Sequence, residues 1–230
     1  MWATADAAYR LYVDRGLFRY STMKVDARFQ ARDFPARPVP PAEALALRAD
    51  YLVTTGRFAE ARAAIDEAKA AAPELAGAYS AEGRLFDREN KPEEARAAYE
   101  KAVALGSRNF YAFVRLANLT PRQGATPETL ATLRTLLTRA VELNAASGLA
   151  HQSLGGVLML MGLSAEAIET LRRAVALDPQ QGSARLTLAN ALLRAGQRDE
   201  ALKEAQAALA LARTDQQRTA AQQTIARIGG

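Results

Sequence analysis

The chain has no cysteine, which excludes a disulfide framework and thiolate metal sites. It has one histidine, His151, with no thiol for it to activate. A packed or edge position suits that histidine better than a general base. No apolar run approaches the roughly 18 to 20 residues of a membrane-crossing helix. The opening MWATADAAYRLYVDRG carries acids where a secretory leader needs a basic stretch and then an apolar one. Lysine is scarce, and arginines alternate with acids instead of gathering in a tail. With 30 basic and 25 acidic residues, the net charge of +5 implies neither a polybasic membrane anchor nor a nucleic-acid partner. HExxH, GxSxG, GxGxxG and P-loop patterns are all absent. Acid pairs such as Glu93–Glu94 and Asp199–Glu200 stand at expected helix starts, where the helix dipole accounts for them. We therefore expect no catalytic residue, no metal and no cofactor, and do not read the chain as an enzyme. The lack of cysteine is compatible with the cytoplasm, the default expectation, and leaves the periplasm open if the chain is a piece of an exported protein. No cap precedes Trp2, so a longer parent protein is expected.

Alanine and leucine dominate, and β-branched residues lead no window, which favours helix over sheet. Three ladders then show a repeated unit. Gly56, Asn90, Gly124, Gly162 and Gly196 are spaced 34, 34, 38 and 34 residues. Ala68, Ala102, Ala140, Ala174 and Ala208 are spaced 34, 38, 34 and 34. Ala61, Ala95, Ala167 and Ala201 follow the same frame. The ladders agree on the period and on one four-residue insertion, which chance in an alanine-rich chain does not readily produce.

Each unit holds two amphipathic stretches with apolar residues at helical spacing. The first stretches lie near 42–55, 76–89, 110–122, 148–161 and 182–195, and the second near 58–71, 92–105, 127–143, 164–177 and 198–211. Pro92 and Pro127 suit first turns, Thr126 and Ser164 suit caps, and Pro73 and Pro179 close units. Small residues at the third ladder, with Gly83 and Gly155, let helices approach closely. Ile65, Tyr99, Leu137 and Leu171 fill the space between units. No unit can bury its apolar faces alone, so neighbours must stack.

The pattern resembles the tetratricopeptide repeat, on Leu154, Gly155, Leu158, Gly162, Ala167, Leu171, Ala174 and Pro179, and again on Leu188, Ala189, Leu192, Gly196, Ala201 and Ala208. The resemblance implies an all-α fold, a right-handed α-solenoid of about five helix–turn–helix repeats. The expected units are 42–75, 76–109, 110–147, 148–181 and 182–215, followed by a capping helix over 215–228 with Ala221, Ile225 and Ile228 as its apolar stripe. Unit three departs from the pattern. Its insertion falls around Ala125–Thr129, and a longer second helix or a wider turn is expected there. Residues 1–41 stand outside the ladders. They read as an amphipathic helix ending near Gly16, then an extended proline-rich arm bearing Phe18, Tyr20, Phe29 and Phe34.

With no catalytic set, function falls to the surface. In the resembled fold the first helices line a concave groove. Counting by the repeat places Asp50, Arg84, Asn118, Gly156 and Asn190 in one groove row, and Thr54, Arg88, Arg122, Leu160 and Arg194 in the next. A third row holds Ala81, Arg115, Ser153 and Thr187. The candidate ligand residues are Arg84, Arg88, Arg115, Asn118, Arg122, Met159, Asn190 and Arg194. Arginine forks suit carboxylates, and asparagine can brace a peptide backbone. Family members of the carboxylate-clamp type use such asparagines together with lysines, and the lysines are absent here. The expected role is a protein-interaction module that takes a peptide or partner protein in the groove. An acidic partner fits best, and self-association is a second possibility if end helices leave apolar surface bare. The rival is a structural appendage of a larger bacterial enzyme, peptidase-like, whose catalytic domain precedes Met1.

Overall fold

A computed structural model of the chain describes residues 38–229, so the expected N-terminal helix and most of the arm, residues 1–37, lie outside the described residues. The described residues hold eleven helices and no strand. Ten form pairs: α1 (Pro41–Thr54) with α2 (Phe58–Ala71), α3 (Ala76–Arg88) with α4 (Pro92–Ala104), α5 (Phe110–Leu119) with α6 (Pro127–Leu143), α7 (Gly148–Leu160) with α8 (Ser164–Leu177), and α9 (Gly182–Arg194) with α10 (Arg198–Ala210). The eleventh, α11 (Asp215–Gly229), packs on α9 and α10.

The glycine ladder is the set of turns inside the pairs. Gly56, Gly124, Gly162 and Gly196 have φ between 70° and 79°, and Asn90 takes 57° in the same place. Asparagine is the commonest non-glycine residue in that left-handed conformation. Prolines open α1, α4 and α6, where a missing N–H costs nothing. Thr126 caps α6, its hydroxyl accepting from the Thr129 N–H at 3.3 Å. Ser164 does not cap: it is the first residue of α8, preceded by Leu163 with no side-chain cap bond. The side-chain caps that the sequence reading left unnamed are Asn109 on α5 and Ser147 on α7, each standing immediately before its helix.

The small residues work by close approach. A β-carbon on Gly83 would lie 2.7 Å from the Tyr99 ring, and one on Gly155 would lie 2.5 Å from Leu171 Cγ. Ala61, Ala95, Ala167 and Ala201 are fully buried, as are Tyr99, Leu137 and Leu171. The cap buries Ala221, Thr224 and Ile228, with Ile225 packed partly against the same cluster.

Unit three corrects the sequence count. Its first helix stops at Leu119 instead of running to 122, because Pro121 forces Thr120 out of helical geometry to φ −72°, ψ 125°. A loop over 120–126 follows with Gly124 still in the 34-residue register, and the inserted residues go into α6, which runs to 17 residues.

Successive units bury one recurrent face of the first helix against the unit before. Ala78, Ala112, Ala150 and Ala184 share a position 34 or 38 residues apart and are all 0% exposed. Their counterpart in α1 is the exposed Ala44, beside Leu47 and Tyr51, which are 65% and 63% exposed. Direct backbone packing links α1 with α3, α5 with α7, α7 with α9, and α9 with α11. Between α3 and α5 side chains do the bridging, Arg84 over the Tyr111 ring and Arg115 on Asp87, while Tyr99 of α4 meets Tyr111 edge to face at 6.4 Å.

Candidate functional site

The first helices carry the three expected rows except Arg122, which the 120–126 loop carries, and side-chain contacts cross-link them along the stack. Arg84 spans three units. Its Nε lies 3.1 Å from Asp50 Oδ1, out of line for a hydrogen bond, so the contact is Coulombic. Its guanidinium sits 4.7 Å over the Tyr111 ring. Asp87 holds Arg115 with two bonds of 2.8 and 2.7 Å and accepts the Tyr99 hydroxyl at 2.8 Å. The bond to Asp87 raises the Arg115 pKa above its ordinary value. Burial, with the Asp87 charge adding to it, pushes the Tyr99 phenol far upward, so it stays a donor. Asn118 donates to Ser153 Oγ at 3.1 Å and accepts from Arg122 Nη2 at 2.6 Å. Gln152 donates to Thr187 Oγ1 at 3.3 Å. Asn190 donates to the Leu186 carbonyl within its own helix and accepts from Arg227 of the cap.

These bonds sort the candidate residues into two sets. Arg84 and Arg115 have acid partners in the neighbouring unit, so their charges are already answered. Asn118 and Asn190 use both ends of their amides within the stack. Arg88, Arg122 and Arg194 have no carboxylate within ion-pair distance among the described residues. Arg88 and Arg194 are exposed at the ends of α3 and α9, with the Arg88 guanidinium 5.9 Å from the Phe58 ring centroid. Leu160 is 45% exposed on the same row, whereas Met159 is partly buried and packs into the core of units four and five. Ala81 and Ser153, expected to be exposed with Arg115, are buried at 1% and 8%. Ala81 belongs to the same buried cluster as Ala49 and Leu52 of the preceding unit.

Arg122 differs from its row-mates because it lies in the 120–126 loop and not on a helix. Its Nη2 also reaches the Ala117 carbonyl at 3.4 Å, at the end of α5. Carbonyl ends of helices carry partial negative charge, which favours a cation there. Burial pulls the guanidinium below its usual pKa, with no offsetting acid. The cation so placed lines a cavity of about 280 Å³ with Asn118, Gln152, Ser153, Gly156, Gln181 and three further residues. His151 bonds the Ser147 carbonyl at 2.9 Å and takes no part in the face. Among the described residues no group of three or more His, Asp or Glu is placed to hold a metal ion.

A stack of antiparallel helix pairs, cross-bonded along the face of its first helices, defines an α-solenoid scaffold. Two models of the tetratricopeptide repeat match, over residues 80–140 and 158–228. The chain belongs to the tetratricopeptide repeat family. Among curated proteins none is similar enough in sequence to match. Solved structures with the same fold include YrrB, described as a TPR protein with an unusual peptide-binding site. It is 23% identical with a TM-score of 0.60, over 78% of this chain and 90% of that one. PilF of Pseudomonas aeruginosa is 20% identical with a TM-score of 0.60, over 87% and 91%. A thermophilic TPR protein of Thermus thermophilus is 22% identical with a TM-score of 0.56, over 80% and 99%. As a tetratricopeptide repeat chain it is a protein-interaction repeat module, and such chains are generally non-enzymatic scaffolds.

Proposed function

We propose that the concave groove formed by α1, α3, α5, α7 and α9 binds an extended or helical segment of a partner protein, and that acidic residues of the segment meet Arg88, Arg122 and Arg194. The observation that carries this is selective pairing. Arg84 and Arg115 are neutralised by Asp50 and Asp87 of the unit before, while these three arginines on the same face are not. An unpaired guanidinium at a groove suits a carboxylate, which it can hold with two parallel bonds. Exposed Leu160 between Arg122 and Arg194 offers an apolar contact for the same segment. The structural neighbour YrrB, described as having a peptide-binding site, supports the role of such a stack. No step of chemistry is assigned to the chain.

Site-specific photo-crosslinking tests the placement. A photoreactive residue at Arg88 or Leu160, on the groove, is expected to capture the same partner. The same residue at Arg173 or Lys203, exposed on second helices, is expected to capture none. Capture from the second helices alone would overturn the proposal.

A further inference from the structure

Two polar atoms near the boundary of units three, four and five are buried without any hydrogen-bond partner: Nε of Arg122 and Oε1 of Gln181. Both residues line the same cavity of about 280 Å³. Buried polar groups in folded proteins are nearly always bonded, and each exception costs the desolvation of that group. No carboxylate lines this cavity. Its other polar walls are neutral donors and acceptors, among them Gln152, Ser153 and Thr187. The one formal charge is a guanidinium whose bonds run only to an amide oxygen and a helix carbonyl.

Gly156 keeps the cavity open. Its place on α7 would accept a β-carbon, since the only heavy atom within 4 Å of one is Arg122 Nη1, at 3.9 Å. The space left by the missing side chain is therefore space beside the guanidinium. A group seated over Gly156 lies within reach of an Arg122 N–H that nothing else uses. That geometry depends on the loop over 120–126. A regular unit would carry its helix through this position, and Pro121 instead ends α5 at Leu119 and lets Arg122 turn back over its end.

We propose that this cavity is a side-chain pocket for a single carboxylate, an aspartate or glutamate within the bound segment and not its chain terminus. The assignment rests on the groove reading above and names what one part of that groove recognises. One cation among neutral groups matches one negative charge, and Gln181 Oε1, an acceptor, is left for an N–H of the bound segment and not for its carboxylate; a phosphate dianion would leave a charge unanswered. The cavity takes its walls from units three, four and five, and the first helices of units one and two leave room for the segment to run on beyond it.

The test uses nuclear magnetic resonance on the full chain, following the Gly156 and Ser153 amides and the Arg122 Nε–H. The probe is N-acetyl-glutamate α-amide, with N-acetyl-glutamine α-amide and N-acetyl-alanine as controls. Saturable shifts with the glutamate probe, absent with the glutamine amide and at least tenfold weaker with N-acetyl-alanine, are the expected result. Arg122→Gln weakens that binding at least tenfold. Gly156→Leu fills the cavity and abolishes binding while leaving the amides of units one and two in place, because the new β-carbon meets only the arginine terminus. Equal shifts with the glutamine amide, stronger binding of N-acetyl-alanine, or undiminished binding in Arg122→Gln overturns the assignment. A silent cavity alongside groove crosslinks at Leu160 removes this pocket and leaves the groove reading standing. A cavity that binds glutamate, without groove crosslinks, does the reverse.

Discussion

Gly155 and Gly156 are neighbours on one helix with opposite requirements. A methyl on Gly155 would sit 2.5 Å from Leu171 Cγ, a mid-chain atom with little freedom to move in a close-packed core. A methyl on Gly156 meets only the end of Arg122 at 3.9 Å. Gly155→Ala is expected to destabilise the protein by about 1 to 3 kcal/mol through overpacking. Gly156→Ala is expected to stabilise it by up to about 1 kcal/mol, since alanine is the better helix former. Urea unfolding of the two variants checks both signs. The packing glycines were legible as sequence, because Gly83 and Gly155 hold the same place in the second and fourth units, each followed by a large residue on the next helix. The role of Gly156 was not legible: a repeat count puts it in a groove row, and only coordinates show that its empty space lies against a loop arginine.

At the scale of the helix, Asp87 ties three elements together. From α3 it holds Arg115 of α5 and the buried hydroxyl of Tyr99 on α4, across the boundary between units two and three. Asp87→Ala would leave a buried phenol and a half-buried guanidinium unpaired. The expected cost is about 3 kcal/mol, well above that of an exposed ion pair. Amide hydrogen exchange of the variant is expected to rise most in α4 and α5, and unchanged protection there would contradict the role. Helix positions and types were readable from proline, glycine and apolar spacing in every pair but the third. There the period was counted through Pro121, although a proline restricts the residue before it and was the available stop signal. That single slip placed Arg122 on a helix. The partnering of Arg84 and Arg115 with acids one unit back was a matter of side-chain reach between units, which spacing along one chain does not encode.

The described repeats form a one-dimensional stack in which units two to five bury the same face against the one before. Its first helices hold one another through Asp50, Arg84, Asp87, Arg115, Asn118 and Ser153, so most polar groups on the groove serve the stack itself. Among the described residues of this face, the arginines left without a carboxylate partner are Arg88, Arg122 and Arg194. The central claim is that this unpaired set binds the partner. The most direct measurement is the dissociation constant of the partner captured by groove crosslinking, for wild type, for Arg88→Glu/Arg194→Glu, and for Arg173→Glu/Lys203→Glu. Two exposed charge contacts contribute up to about 1 kcal/mol each, so the groove reversal is expected to weaken binding about tenfold or more. The second-helix reversal is expected to leave it unchanged. A partner that binds the groove variant as well as wild type, and loses affinity for the second-helix variant, would contradict the account.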